Sequence, residues 1–536
     1  MKLTIYIIFL TATLLLASCS DLLDEKTYTQ VTTEYIVSSP TGMASAVLAM
    51  YYKDREIFRT NNDTETTLWT NMLIGDDISV VRSGSGIPQF GRYANLMPTT
   101  GNVGALWRQQ YAMIGYANLV IATAAKVDMT DPLAIQALSE AKIFRAHAYF
   151  WLLRKYDRVF LTTRVTTPEN VNDSIVYAPA PTDSVFKLIN EDLNYAIANL
   201  SWNTTQPGRF TQGVARHIKA KVSAWQQNWQ EVANQVNAID KSGKYALMPN
   251  VADVFNSADL NAPTNTESIL VSQWSKGNGG WYISPSTGST SGHRLALYFM
   301  PLYNQEQGMT IDFASGAYPW GRIFPNAYLL GLYDKTKDAR YKAYYKHAWT
   351  YNNAAGLPRG KKLGDTIVVA NSAQYLNLHP ACTKFNDSWT RVSASETQSF
   401  KDIIIYRLPE TYLMGAEAYL KLGKADSTAY YYNKTWVRAG NTAIAVGSVT
   451  LDMIIEEHAR ELAFEGDRWF FLKRNGLLVD RVKKYGGEYV KKGTVVLSND
   501  TVIRTNIQPF HVRLPIPQSQ IDIMGKTNFP QNEGYN

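Results

Sequence analysis

The sequence predicts a mainly α-helical protein, with antiparallel helix pairs on one side and a loop-rich region with small β-hairpins on the other. Three observations carry this. Near the C-terminus Ile454, His458, Glu461 and Glu465 recur at helical spacing. Other periodic stretches begin at cap-forming residues, among them Asp131-Pro132 and Thr182-Asp183. Between Tyr245 and Arg322 the composition shifts to Gly, Ser, Thr and Pro interleaved with aromatics. The chain has 536 residues. That exceeds the ~250–300 residues at which single cores stop growing, so it holds either several domains or helical repeats on one continuous core.

The N-terminus comes first. Lys2 is followed by an almost wholly apolar run, Leu3 to Ala17, shorter than the ~20 residues a spanning helix needs. It reads as a signal peptide over residues 1–18. The run ends in Leu16-Ala17-Ser18-Cys19, which resembles a bacterial lipobox. Acylation of Cys19 would hold the chain on a membrane without a spanning helix, since each buried methylene contributes ~0.8 kcal/mol. Asp21, Asp24 and Glu25 resemble the surface-export signal of some Gram-negative lipoproteins.

Helices follow. Leu106 to Lys126 carries Trp107, Tyr111, Ile114 and Leu119. Asp131-Pro132 opens the next, in which Ala141, Phe144, Ala148, Leu152 and Tyr156 share a face, with small residues where a neighbour can cross closely. Thr182-Asp183 is expected to cap a helix through Leu200, and Thr211–Asn228 and Trp229–Ser242 give two more. Further on, Ala416-x-Ala418-Tyr419-x-Lys421-x-Gly423, continuing to Tyr432, looks like a tetratricopeptide helix pair, although Ala429 is one position out of register.

The middle and tail read differently. Ser272 to His293 is a long loop around Trp274, Trp281 and Tyr282; loops of this length in compact proteins are functional or disordered, and the aromatics argue against disorder. Tyr318-Pro319-Trp320-Gly321-Arg322 precedes a helix expected over Pro325–Tyr333. Asp365–Ala370 reads as a short strand. Thr494–Leu497 and Thr501–Arg504 read as a hairpin turning at Ser498-Asn499-Asp500.

Composition excludes several classes. Of the 2 cysteines, lipidation takes Cys19, leaving Cys382 with no disulfide partner and no thiolate cluster. The formal charge is +7 without a Lys/Arg run, so nucleic acid is not an expected partner. His458-x-x-Glu461 lacks the second histidine of a zinc motif. There is neither a nucleophile elbow nor a phosphate loop. No cofactor and no metal are therefore expected, and the protein is not expected to be an enzyme. Asp76-Asp77 is an acidic pair that could suggest a glycosidase. Hydrolysis needs two carboxyls ~5–9.5 Å apart across a bond, and a helix end at Gly75-Asp76-Asp77 accounts for the pair better.

The stretch Glu456 to Arg474 gives the sharpest signal. Gly466 breaks the first helix, Asp467 is placed to cap the next, and Trp469, Phe470 and Leu472 seed a core. Charges this dense beside apolar bulk predict a paired network of Glu461, Glu465 and Arg468. Glu457, Glu461-Leu462, Glu465-Gly466, Arg468-Trp469 and Arg474 resemble the signature of the SusD/RagB family, with Phe471 where an Asp is usual. Arg145 to Phe150 resembles the first helical hairpin of that family, and Leu514 to Tyr535 resembles its closing motif. The resemblance implies a SusD-like fold over 19–536: a helical part about 30–243, a loop-rich ligand region about 244–400, and the signature region about 401–536. It also implies a lipid-anchored protein on the outer face of the outer membrane. Such a protein captures an oligosaccharide or polysaccharide and delivers it to a SusC-like TonB-dependent transporter. Helix surfaces of the N-terminal half would then face that transporter. Peptide capture of the RagB type and a surface glycosidase are the alternatives.

A glycan site needs flat aromatic faces for C–H groups and polar side chains for the hydroxyl rim. The candidates are Trp281, Tyr282 and Trp320 for stacking, and Arg82, Gln89, Tyr93 and Asn278 for polar contacts. Trp69 is expected to face the core, because Leu68, Met72 and Leu73 surround it.

Overall fold

The structure is a computed structural model that describes residues 39–58, 73–82, 88–167, 169–276 and 292–535. Residues 1–18, expected to be a signal peptide, and Cys19 and Trp69 lie outside the described residues. Among the described residues the fold is mainly helical with four two-stranded antiparallel pairs, in line with the predicted class.

Helix α1 (Pro40–Asp54) begins at Ser39, whose side chain accepts from the Gly42 N–H. It packs on α2 (Gly101–Thr123) and α3 (Pro132–Tyr156), which form an antiparallel pair. Asp131 caps α3 as expected, accepting from the Leu133 N–H at 2.7 Å. Ala141 and Ala148 are fully buried at the helix crossings, and Arg145 reaches buried Asp192 with two nitrogens at 2.7 and 2.9 Å. Asp192 lies on α4 (Thr182–Asn199). Thr182 is the first helical residue there, after Pro181, and no side chain caps that end. The chain continues into α5 (Gln212–Trp225), capped by Thr211, and α6 (Trp229–Lys241), capped by Asn228.

The helical stack then jumps in sequence. Helix α6 packs against α7 (Leu408–Lys421), which pairs with α8 (Ala425–Arg438) as the tetratricopeptide-like spacing predicts. Gly415 is the contact point: a Cβ there would lie 2.9 Å from Val236 Cγ1 and 3.1 Å from the Tyr431 ring. Residues between α6 and α7 thus leave the stack and return to it. Strand β2 (Ser268–Ser272) pairs antiparallel with β6 (Ile403–Arg407) and closes that excursion. Within it, β4 (Tyr345–Lys346) pairs with β5 (Ala381–Cys382), and β3 (Ile323–Pro325) pairs back onto β1 (Ser79–Val81), which precedes α2. Cys382 is buried, and burial pushes its thiol up to about 11, an inert packing residue.

Helices α9 (Leu451–Leu462), α10 (Arg468–Arg474) and α11 (Leu478–Tyr485) complete the chain's core side. One apolar cluster runs from Met43 to Tyr535 and joins first helix, middle loops and tail. A second apolar cluster, from Ala220 to Ile454, packs α5, α6, α7, α8 and α9 together.

Several local expectations change. The helix over 325–333 is shorter, Ala327–Gly331, with Asn326 as its cap. Residues 365–370 form no strand, only a bridge of Thr366 to Thr350. The late hairpin is β7 (Glu488–Lys492) with β8 (Val495–Asp500), turning at left-handed Gly493; Asn499 and Asp500 lie inside β8, and Val502–Asn506 is helical. Asn and Asp suggested a turn, but Gly493 has the freer backbone.

Candidate functional site

The β1–β3 ladder brings two sequence-distant candidates together. Val81 faces Ile323, and one step beyond the Arg82 N–H donates to the Arg322 carbonyl at 2.9 Å. The chain then turns through Gly321 and Trp320, whose N–H groups both donate to the Met300 carbonyl, at 2.6 and 3.1 Å. Gly321 has φ +59°, and a Cβ there would meet Arg82 Nη1, Leu302 N and Pro301 Cα at 3.3 Å each. Glycine is required at this approach.

Trp320 is half-buried and stands edge-on to buried Tyr298, with ring centroids 5.5 Å apart and planes at 89°. The guanidinium carbons of Arg294 and Arg322 lie 5.6 and 5.5 Å from its ring centroid. Burial, then the charge of Arg322, lowers the Arg82 pKa. Arg82 Nη1 is buried with no hydrogen-bond partner among the described residues. No carboxylate among the described residues pairs with Arg82 or Arg294. The result is an indole framed by donors that cannot accept, complementary to a flat ligand bearing acceptor oxygens.

Gln89 is half-buried on the short helix Pro88–Arg92, which packs on β1 with Gly91 over Val81. Tyr93 does not face a ligand loop. It is buried, donates its hydroxyl to the Gly75 carbonyl at 2.5 Å and accepts from Trp469 Nε1 at 3.0 Å. Its φ of 52° turns the chain inward. Asn278, Trp281 and Tyr282 lie outside the described residues. The flanks of their segment are anchored: the Trp274 N–H donates to Asp402, and His293 and Ser399 exchange backbone bonds at 3.0 and 2.9 Å. Arg294 follows His293 directly and lies beside Trp320. Sequence reasoning missed Arg294; its only signal was its position at the exit of the aromatic loop.

The signature region is built otherwise. Glu461 pairs with Arg340 at 2.7 Å, with Arg407 at 2.6 Å and with Arg438. Glu465 pairs with Lys384 and Arg407, at 2.6 Å each, and Glu457 with Arg340 and Arg460. Burial pushes the Glu461 carboxyl up, but Arg438, Arg407 and Arg340 outweigh it and hold it well below the usual range. Arg468 is not in this network. It grips Asp77 with two nitrogens at 2.8 Å, and Arg481 adds a third contact at 2.6 Å. Asp467 likewise caps no N–H; its carboxylate goes to Lys221 at 2.7 Å. Asp76 accepts from the Ile78 and Ser79 N–H groups, and burial with the Asp77 charge pushes it up to about 6. Both acids are buried in a bend leading into β1, not at a helix end, and serve structure.

A helical-repeat scaffold with a loop-borne aromatic and arginine face defines a class of mainly α-helical proteins whose loops carry the site. The sequence profile of the SusD family matches residues 255–535, and the chain belongs to that family. It is 24% identical over 542 residues to SusD-like protein P25 of Formosa agariphila, covering 94% of each chain. It is 36% identical over 134 residues to the starch-binding protein SusD of Bacteroides thetaiotaomicron, covering 25% of this chain and 22% of that one. Among solved structures, a laminarin-binding SusD-like protein superposes with TM-score 0.70 at 23% identity, over 93% of this chain and 100% of the other. Surface glycan-binding protein A of Bacteroides thetaiotaomicron, in complex with laminarihexaose, gives 0.69 at 20% identity, over 92% and 100%. No described helix is long and apolar enough to cross a membrane.

Proposed function

We propose that this protein binds a glycan at the cell surface and delivers it to a SusC-like TonB-dependent transporter, held on the outer membrane by acylated Cys19. The observation that carries the reading is Trp320, framed by Arg294 and Arg322 with the buried, unpartnered Arg82 nitrogen beside them. The indole covers the C–H face of a sugar ring, and the guanidinium groups donate to its hydroxyl or carboxylate rim. Relatives whose names include laminarin, laminarihexaose and starch support a glycan as the ligand class. Trp281, Tyr282 and Asn278 would extend the platform from the adjoining segment.

The mechanism is capture and release with no covalent step. The acidic pair that could have supported hydrolysis is tied to Arg468, Arg481 and backbone N–H groups. Isothermal titration of the mature protein with laminarihexaose and with neutral, uronic and sulfated oligosaccharides tests the ligand class. Saturable binding to one glycan set is expected; binding to a peptide pool alone would sink the reading. Co-purification of a SusC-like transporter with this protein from detergent-solubilised outer membranes tests delivery, and recovery of the protein without one would overturn that half.

A further inference from the structure

A second cleft of about 190 Å³ opens between the loop after α4, the residues following α6, and strand β2. Its lining combines an aromatic face with polar groups and no carboxylate among the described residues. Trp202 is half-buried, and the Arg216 guanidinium carbon lies 5.6 Å from its ring centroid. Asn203, Thr204 and Lys244 are exposed around it. Tyr245 is seated against the start of α5 by Gly213, where a Cβ would fall 2.2 Å from the Tyr245 hydroxyl.

Two features separate this cleft from ordinary surface relief. Ser268 lines it at only 6% exposure, and its hydroxyl has no hydrogen-bond partner among the described residues. A buried hydroxyl left without a partner costs stability and suits an incoming hydroxyl. The lining arginine is also already committed: Arg209 donates to Glu140 at 3.0 and 3.1 Å and to Gln206 at 2.7 Å. No carboxylate lines the cleft among the described residues.

We propose that this cleft is a second saccharide-binding site, distinct from the Trp320 site, that takes one or two rings of a hydroxyl-rich chain. The indole of Trp202 stacks on a ring, and Asn203, Thr204 and the Ser268 hydroxyl meet its rim. The small volume limits the length bound, since pockets for larger ligands enclose ~300–1,000 Å³. Two sites on one chain would raise avidity for a polysaccharide that reaches both.

The test uses the full mature protein labelled with ¹⁵N-tryptophan. The Trp202 indole resonance is the one missing from the Trp202→Phe spectrum. Laminarihexaose, a neutral disaccharide and a uronic acid disaccharide are titrated in turn. At least one is expected to move that resonance, and to move it equally in Trp320→Ala. Ser268→Ala should weaken that response about threefold to tenfold without lowering the melting temperature. A Trp202 resonance that no saccharide moves, or that moves only while Trp320 is intact, overturns the proposal. So does a shift produced by a peptide pool and by no saccharide.

Discussion

Two arginine clusters in this molecule differ in what answers them. Around Glu461, the buried cations Arg340, Arg407, Arg438, Arg460 and Lys384 face Asp338, Glu267, Glu457, Glu461 and Glu465, and the charges balance. Around Trp320, Arg294 faces the indole and Arg82 lies beside the charge of Arg322, with no carboxylate paired to Arg82 or Arg294 among the described residues. Arginine in the first cluster locks α9 to the middle loops and to α8. In the second its donors remain available. A guanidinium serves structure where carboxylates saturate it and recognition where they do not.

The largest effect should come from breaking the balanced cluster. Glu461→Ala leaves Arg340, Arg407 and Arg438 without their shared carboxylate. Removing one partner of a buried network costs ~3–5 kcal/mol, so the variant should melt several degrees lower or fail to fold. Arg294→Ala should leave the melting temperature within about 1 °C. Equal destabilisation by both substitutions would erase the contrast.

How much of this was legible in sequence follows from range. Local patterns read well: Asp131-Pro132 is set by its cap, and the α7–α8 pair and α9 by spacing within a few residues, although α9 ends at Leu462, short of Glu465. Partners across long separations did not. Glu461 was expected to pair nearby with Arg468, yet its cations come from residues 340, 407 and 438, while Arg468 reaches back to Asp77. Asp76-Asp77 gave no sign of that role, because Arg468 lies 391 positions away. The proposed site was half visible. Trp320 stood out by its Gly-Pro setting, and Arg82 by its loop, but their meeting depends on the β1–β3 ladder, three residues long on each side. Tyr93 looked like a loop residue, whereas its positive φ turns it into the core.

The next effect belongs to the open cluster. Trp320→Ala removes the central aromatic face of the proposed site. Glycan affinity should fall by ~2 kcal/mol, about thirtyfold in Kd, with the melting temperature nearly unchanged. Titration calorimetry and differential scanning fluorimetry on the same sample separate the two. A loss of binding matched by loss of stability would place Trp320 with the structural aromatics.

Titration sharpens the comparison further. Glu461 is held low, so its contribution is present above the ordinary carboxylate range and is lost as pH falls through its depressed value. Glu488 behaves oppositely. Burial pushes it up to about 7, against bonds from the Tyr375 hydroxyl and the Ala327 N–H and the charge of Arg504, with Asp500 adding to the rise. Its contribution is full below the ordinary Glu value and is lost as pH rises through about 7. Stability should therefore decline from pH 6 to pH 8, by about 1 kcal/mol given ~1.4 kcal/mol per unit of pKa. Glu488→Gln should flatten that slope in melting curves; an unchanged slope would assign it to other groups.

The smallest effect is the most discriminating. Arg82→Met removes a charge that burial and Arg322 both disfavour, so the fold should lose nothing and gain a few tenths of a kcal/mol. Glycan binding should weaken by ~1 kcal/mol, about fivefold in Kd, for the loss of one charge-assisted donor. Repeating the titration at higher salt then reads the ligand's charge. If the glycan carries uronate or sulfate, added salt weakens the native protein more than the variant, because the charge on Arg82 is what salt screens. If the glycan is neutral, the two fall in parallel. A melting temperature that drops with Arg82→Met as far as with Glu461→Ala would show that Arg82 holds the fold as Arg340 does, and the contrast between the clusters would fail.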